Sequence, residues 1–434
     1  MKIDKYIEIV KRLGDIIKGT KYEGHVFTVG GCERDYQLCQ DIKDIDLVVD
    51  LPNGGITLAT WLSENGFTIG KYVCYEHYGT AMFRLKDFPD EELEAVQTRC
   101  ESYRDINTRN PETAYGTIQQ DCMRRDFTMN ALYRNVTTNQ LIDFTGSGLN
   151  DIKARVIRSC DNPDIIFKED PLRILRALRF QAKLGWVIED DTYDGMVRNV
   201  DRLEIISRER ITDEFNKMLS YKSPKNALNK ARRIGALKYI SKVLADAEID
   251  KWDSAVDSLT YSLDTISERI PILFYWADRE KLESELRAMK YPNDFIKDCK
   301  FIIDEIDTVI EIGNQFPKMD IMAIKKLQYR SPSQKLFQQL VFTTNAIVNR
   351  AVPYGIKRDN RVMHVLGHTL SMVLRGEDCF KRNIPVDGID VMDMKGIGPG
   401  PKVSEYLSAL REEWFKNPKI ERHELLGVLS KLNL

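Results

Sequence analysis

Gly30 and Gly31, then Arg34, then Asp44 and Asp46 are the residues of this 434-residue chain whose types and spacing suit chemistry first. Asp44 and Asp46 lie in the run Asp-Ile-Asp-Leu-Val-Val. Side chains alternate along a strand, so the two carboxylates share one face. Ile45 and Val48 give the run the apolar character of a buried strand. Paired carboxylates at a strand end suit Mg²⁺, which prefers oxygen ligands and keeps substrate phosphates in its shell. The paired glycines would let backbone amides approach a triphosphate closely, and Arg34 offers it a fork of donors. Alone, a Gly-Gly is usually a turn and an Asp-x-Asp is usually solvated. Their order and spacing together fit a site for nucleotidyl transfer.

Three further clusters follow. Arg124-Arg125-Asp126-Phe127-Thr128-Met129-Asn130-Ala131 places two arginines before an Asp and an Asn. That set supplies triphosphate donors and partners for a ribose hydroxyl, or a helix cap with two surface arginines. Asp143-Phe144-Thr145-Gly146-Ser147-Gly148 reads as a glycine hinge or a plain turn. The stretch Lys168–Phe180 reads as one helix with Asp170 and Arg173 three apart on one face and Arg176 continuing the row. The ordinary reading is an i,i+3 salt bridge. The chemical one is a base-reading pair. Cytosine and adenine each offer an amino donor beside a ring-nitrogen acceptor, and guanine and uracil present the reverse. A fixed Asp/Arg pair would accept CTP and ATP and leave buried groups unpaired with GTP and UTP.

These motifs resemble those of the nucleotidyltransferases of the DNA polymerase β type. Within them the match is to class II tRNA nucleotidyltransferases and bacterial poly(A) polymerases. Their first motif runs Gly-Gly-x-Val-Arg-Asp-x-Leu-Leu-Gly, then four residues, then Asp-x-Asp. Here Glu33, Gln37 and Cys39 stand in place of Val, Leu and Gly. The Arg-Arg-Asp-Phe-Thr-Met-Asn-Ala motif matches closely, and Ser147 separates the two glycines of the hinge. The Glu-Asp-x-x-Arg motif is complete in Glu169, Asp170 and Arg173. Ser207-Arg208-Glu209-Arg210-Ile211 resembles a supporting helix of the neck.

The resemblance implies an α+β protein: a small mixed-sheet nucleotidyltransferase head, then an all-helical neck, body and tail. It implies template-independent addition or repair of the 3′-terminal CCA of tRNA from CTP and ATP. A 3′-hydroxyl would attack the α-phosphate, with Mg²⁺ ions on Asp44 and Asp46. Glu94 is a third carboxylate on the run Leu93–Thr98, or an exposed strand residue. Gly30, Gly31, Arg34, Arg124, Arg125, Asp126, Asn130, Glu169, Asp170, Arg173, Arg176 and Arg179 are the nucleotide-binding set that the resemblance implies. Poly(A) polymerase, a CC-only or A-only enzyme, and an inactive RNA-binding protein are the alternatives. Intact Asp44, Asp46, Asp170 and Arg173 count against the last. A long polar stretch from Arg99 to Gln120, with Arg104 and Arg109, favours full CCA addition and reads as a mobile loop. No His-Asp dipeptide occurs, so no phosphohydrolase domain is expected.

The elements that must position these groups follow from periodicity. Ile3, Ile7, Val10, Leu13 and Ile17 mark a first helix. Strands are predicted near 25–30, 44–50, 79–85, 93–98, 130–136 and 140–143, with a helix near 56–65. From Asp151 the pattern is helical, with Pro171 in a first turn and Ser207 as an N-cap. The expected domains are a head at 1–150, a neck at 151–240, a body at 241–345 and a tail at 346–434. Val403, Leu407, Leu410 and Trp414 give the tail its own small core.

Composition sets outer bounds. The chain is 43% hydrophobic and 30% charged, with a net charge of −2, the profile of a globular protein with more than one core. No apolar run reaches the roughly 18 residues of a membrane span, and the N-terminus lacks a signal-peptide core. Eight cysteines without a Cys-x-x-Cys pair argue for free thiols and against zinc, and for a cytoplasmic setting. His364 and His368 have no third ligand in view. Charge is segregated: 17 acidic against 8 basic residues over 246–311, then 12 basic against 4 acidic over 318–382. The basic stretch, with Lys357, Arg358 and Arg361, would track an RNA backbone or form a solvated surface. Lys402, at the Gly/Pro turn before the last long helix, would hold an RNA phosphate, or the turn is a simple helix cap.

Overall fold

The computed structural model describes residues 1–75, 79–102, 112–350, 359–380 and 383–434. The chain divides into two compact units, one of residues 1–218 with 226–240 and one of 219–225 with 241–434.

The first unit opens with α1 (Ile3–Ile17), which buries Tyr6, Ile9, Val10, Leu13 and Ile17. Ile7 was expected in that stripe but is exposed, and Tyr6 and Ile9 take its place. Next come β1 (Val26–Val29), α2 (Gly31–Gln37), β2 (Ile45–Val49) and α3 (Gly54–Glu64). The strands β3 (Val73–Tyr75), β4 (Thr80–Phe83) and β5 (Leu93–Gln97) follow. Then come β6 (Arg99–Ser102), β7 (Glu112–Tyr115), α4 (Ile118–Met123), β8 (Leu132–Asn135) and β9 (Leu141–Asp143). Among the described residues the main sheet has the order β3-β4-β5-β2-β1-β8-β9. It is mixed: β2 and β5 run parallel, and the other pairings are antiparallel. The α1 face of the sheet holds Val26, Ile45, Leu47, Leu58, Leu93 and Ala95 in one apolar core.

The stretch 99–120 corrects the expected loop. Arg99–Ser102 pairs antiparallel with Glu112–Tyr115, and α4 begins in a capping box between Thr117 and Gln120. Cys100, Thr113 and Tyr115 suit a strand despite the polar composition. Arg104 and Arg109 lie outside the described residues.

After α5 (Gly148–Ala154) the stretch 163–184 corrects a second expectation. It is not one helix. α6 (Pro163–Glu169) ends at Asp170, whose backbone is extended at φ −137°, ψ 96°. α7 (Leu172–Leu184) then starts after Pro171. Proline disfavours helical geometry in the residue before it, so Pro171 breaks the helix at Asp170. The chain continues through Asp190–Asn199, Arg208–Leu219 and Lys225–Arg233, all helical.

Among its described residues the second unit has helices and connecting loops and no strand. Its larger helices are Asn293–Asn314, Gln334–Asn349 and Arg361–Arg375. Its C-terminal helices, Gly388–Lys395, Pro401–Lys416 and Arg422–Lys431, surround Val403, Leu410, Trp414, Leu425 and Leu429 in a core of their own.

Candidate active site

The carboxylates sit where β2 and β5 run side by side. Asp46 is directly opposite Glu94 in that parallel register and opposite Val29 on β1. Burial pushes the Asp46 carboxyl up to about 6; the charges of Glu94 and Asp44 add to the shift and Arg125 opposes it. Asp44 precedes the strand, is 70% exposed at its side chain, and lies 3.8 Å from Lys43. Glu94 is exposed on the sheet. Among the described residues, no three His, Cys, Asp or Glu side chains are grouped closely enough to hold a metal ion by themselves.

Gly30 lies beside Asp46. Its φ of 82° is a conformation L side chains rarely adopt. A Cβ there would come within 3.3 Å of Asp46 Oδ2 and 3.9 Å of Arg125 Nη1. The glycine therefore keeps backbone, carboxylate and guanidinium close together. Gly31 begins α2.

Arg125 is held from behind. Its Nε donates to Tyr133 Oη at 2.7 Å, and its Nη2 donates to Asp121 Oδ2 at 3.1 Å. Arg124 donates to Asp121 Oδ1 at 2.6 Å and to the carbonyl of Arg99 at 3.1 Å. Burial would raise Asp121, but Arg125 and Arg124 hold it below the usual carboxylate range. Neither Asp121 nor Tyr133 was singled out from the sequence. The i,i+3 and i,i+4 spacing of Asp121 to the two arginines was the available signal.

Arg34 is buried, not open as a fork. Its Nε donates to Asp35 at 2.8 Å and its Nη1 to Asn130 Oδ1 at 2.7 Å. Asn130 in turn donates to Asp126 Oδ1 at 3.1 Å. Arg176 Nε donates to Asp126 Oδ2 at 2.9 Å. The three sequence motifs therefore meet in one chain of polar contacts, Arg34–Asn130–Asp126–Arg176. Burial would raise Asp126; Arg176 outweighs it, and the carboxyl is held down to about 2. Phe180, another residue missed in the sequence, underlies the network. The guanidinium groups of Arg179, Arg34 and Arg176 lie 4.4, 5.4 and 5.8 Å from its ring centroid. Arg179 is also paired with buried Glu214 at 2.6 Å.

Asp170 and Arg173 do not pair with each other as an i,i+3 bridge. Asp170 accepts from the Leu172 amide at 3.1 Å and from Arg210 at 3.1 Å. Arg173 donates to Glu169 at 3.1 Å, and to the carbonyls of Ile166 at 3.0 Å and Arg124 at 2.7 Å. The break at Pro171 explains the difference, because it turns Asp170 off the row of α7. Arg210, read from sequence as merely structural, is the cation on Asp170.

The hinge motif is a turn here. Asp143 accepts from Thr145 Oγ1 at 2.7 Å and from the Leu149 amide at 3.2 Å, and Gly146 has φ 67°. Of the RNA-binding candidates, Lys357 and Arg358 lie outside the described residues. Arg361 is paired with Asp359 at 2.6 Å. Lys402 is exposed in the first turn of Pro401–Lys416. His364 stacks on Phe316 with centroids 4.1 Å apart. No helix of the described residues is long and apolar enough to cross a membrane.

Residues 26–158 match the poly A polymerase head domain, and residues 185–248 match the probable RNA and SrmB-binding site of polymerase A. The fold is similar to that of the Bacillus stearothermophilus CCA-adding enzyme solved with CTP. The TM-score is 0.75 at 21% identity, covering 99% of this chain and 97% of that one. The CCA-adding enzyme of Lactococcus lactis is 28% identical, with all of both chains covered. That of Geobacillus sp. (strain WCH70) is 31% identical over 403 residues, covering 92% of this chain and 91% of that protein. At 31% identity over more than nine-tenths of each, this chain belongs to the family of CCA-adding enzymes, nucleotidyltransferases acting on tRNA.

Proposed function

We propose that this chain builds or repairs the 3′-terminal CCA of tRNA from CTP and ATP without a nucleic-acid template. The observation that carries the reading is Asp46 opposite Glu94 and next to the Gly30 backbone, with Arg125 beside them. Enzymes of this family use a divalent metal ion. Asp44 and Asp46 would hold Mg²⁺, with Glu94 as the third carboxylate. The donor chemistry fits: the oxygens are hard, and burial together with the charges of Glu94 and Asp44 pushes the Asp46 carboxyl up, a cost that a dication would offset. When bound, the ion would activate the attacking oxygen and screen the leaving group.

The chain's own residues do the rest. The Gly30-Gly31 backbone and the Arg124 and Arg125 guanidinium groups position the triphosphate. The 3′-oxygen of the RNA bonds to the α-phosphorus, the α–β bridging P–O bond breaks, and pyrophosphate leaves. Arg34, Asp126, Asn130, Arg176 and Arg179 keep the head and the base-reading helix in register. Asp170 and Arg173, beside Glu169, read the base by exchanging Arg210 and backbone partners for its edge. Lys402 and Arg361, with Lys357 and Arg358, contact the RNA backbone, and the setting is the cytoplasm.

The poly A polymerase head match favours one second reading, poly(A) addition. Asp46→Ala tests the shared chemistry. Incorporation should fall about a thousandfold while tRNA binding persists; activity within tenfold of wild type would sink the assignment.

A further inference from the structure

Glu33 stands where the related motif carries valine, and it is fully buried. An ionised carboxylate in such a place is costly unless paired and hydrogen-bonded. Glu33 has three donors, each from a different element. Tyr6 Oη of α1 donates to Oε1, and Thr28 Oγ1 of β1 donates to the same oxygen at 2.5 Å. Arg134 Nε of β8 donates to Oε2 at 3.1 Å. Arg134 is fixed in turn by Asn139, at 3.3 Å to its carbonyl, and lies 4.8 Å over the Tyr36 ring.

Glu33 and Arg34 are neighbours on α2, so their side chains leave the helix about 100° apart. Arg34 faces Asn130 and Phe180, whereas Glu33 faces α1, β1 and β8. The short helix that follows Gly30 is thus held from two sides by polar contacts. A carboxylate with three directed donors fixes its register.

We propose that Glu33 is a positioning residue for nucleotide binding: it locks α2 so that the Gly30-Gly31 backbone stays placed next to Asp46 for the triphosphate. The proposal rests on the nucleotidyl-transfer reading above. Because the triphosphate is common to both substrates, loosening α2 weakens CTP and ATP alike and leaves base choice untouched.

The test compares wild type, Glu33→Gln and Tyr6→Phe, each titrated for active sites. Steady-state kinetics on tRNA lacking CCA is paired with equilibrium binding of CTP and of ATP with Mg²⁺. Glu33→Gln should raise KM and Kd for both nucleotides about tenfold, and Tyr6→Phe about threefold, at unchanged CTP/ATP ratio and nearly unchanged kcat. Should Glu33→Gln fail to fold, Tyr6→Phe decides, since it strands no charge. Folded variants with wild-type KM and Kd but a lower thermal midpoint would overturn the proposal and leave Glu33 a stability residue. Wild-type protein that bound neither nucleotide would instead overturn the nucleotidyl-transfer reading itself.

Discussion

Arg176 of α7 and Asp126 of the Arg-Arg-Asp motif form a half-buried ion pair, with Nε 2.9 Å from Oδ2. It fastens the helix after the head to the motif that carries Arg124 and Arg125. Arg173 makes a parallel tie to the carbonyl of Arg124 at 2.7 Å. Two contacts thus tie α7 to the motif of Arg124 and Arg125.

The pair makes stability depend on acid. Burial works against the Asp126 charge, but Arg176 holds the carboxyl down to about 2, against 3.8 unperturbed. A depressed carboxylate contributes stability above its unfolded value and loses it as pH falls toward 2. Here the contribution is about 2 kcal/mol. Arg176→Met should lower the thermal midpoint most at pH 7 and by less at pH 3, where Asp126 in the variant is protonated and no unpaired charge stays buried. An equal loss at both values in calorimetry would show that the guanidinium contributes packing alone.

Glu268 has the opposite sign. Burial pushes its carboxyl up to about 7, and Asp264 adds to the rise while Arg269 opposes it. The native state keeps this proton to higher pH than the unfolded chain, so stability falls as pH rises from 4.5 to 7, by about 3 kcal/mol. Glu268→Gln should raise the thermal midpoint at pH 8 and leave it unchanged at pH 4.5. A pH-independent effect would rule out the buried charge as its source.

Base choice is expected to lie on Asp170. Asp170→Ala removes one charged hydrogen bond to the base, worth roughly 1.5–3 kcal/mol, or one to two orders of magnitude in selectivity. Preference for CTP and ATP over UTP and GTP should shrink by that factor, with total incorporation falling less. Full preference retained in single-nucleotide assays would mean that the Arg210 partnership is structural and the base is read elsewhere.

Much of this was legible in the sequence. Strand alternation placed Asp46 on a buried strand, and the resemblance located each motif. Contacts between elements distant in sequence were not legible. No spacing announces that Glu33 meets Tyr6 and Arg134, or that Asp170 meets Arg210, because those pairs exist only once helices and strands pack. Pro171 is tolerated in a first helical turn, but its effect on the preceding residue is the local signal for the break at Asp170. The β6–β7 pairing was hidden by its polar composition.

The central claim is ordered addition of CCA from two nucleotides. The most direct measurement is a gel of tRNA lacking CCA, extended with each nucleotide alone and with CTP and ATP together. CTP alone should add two residues, and CTP with ATP should give CCA and then stop, with UTP and GTP inert. A long ladder from ATP alone, or no product from CTP, would contradict the account.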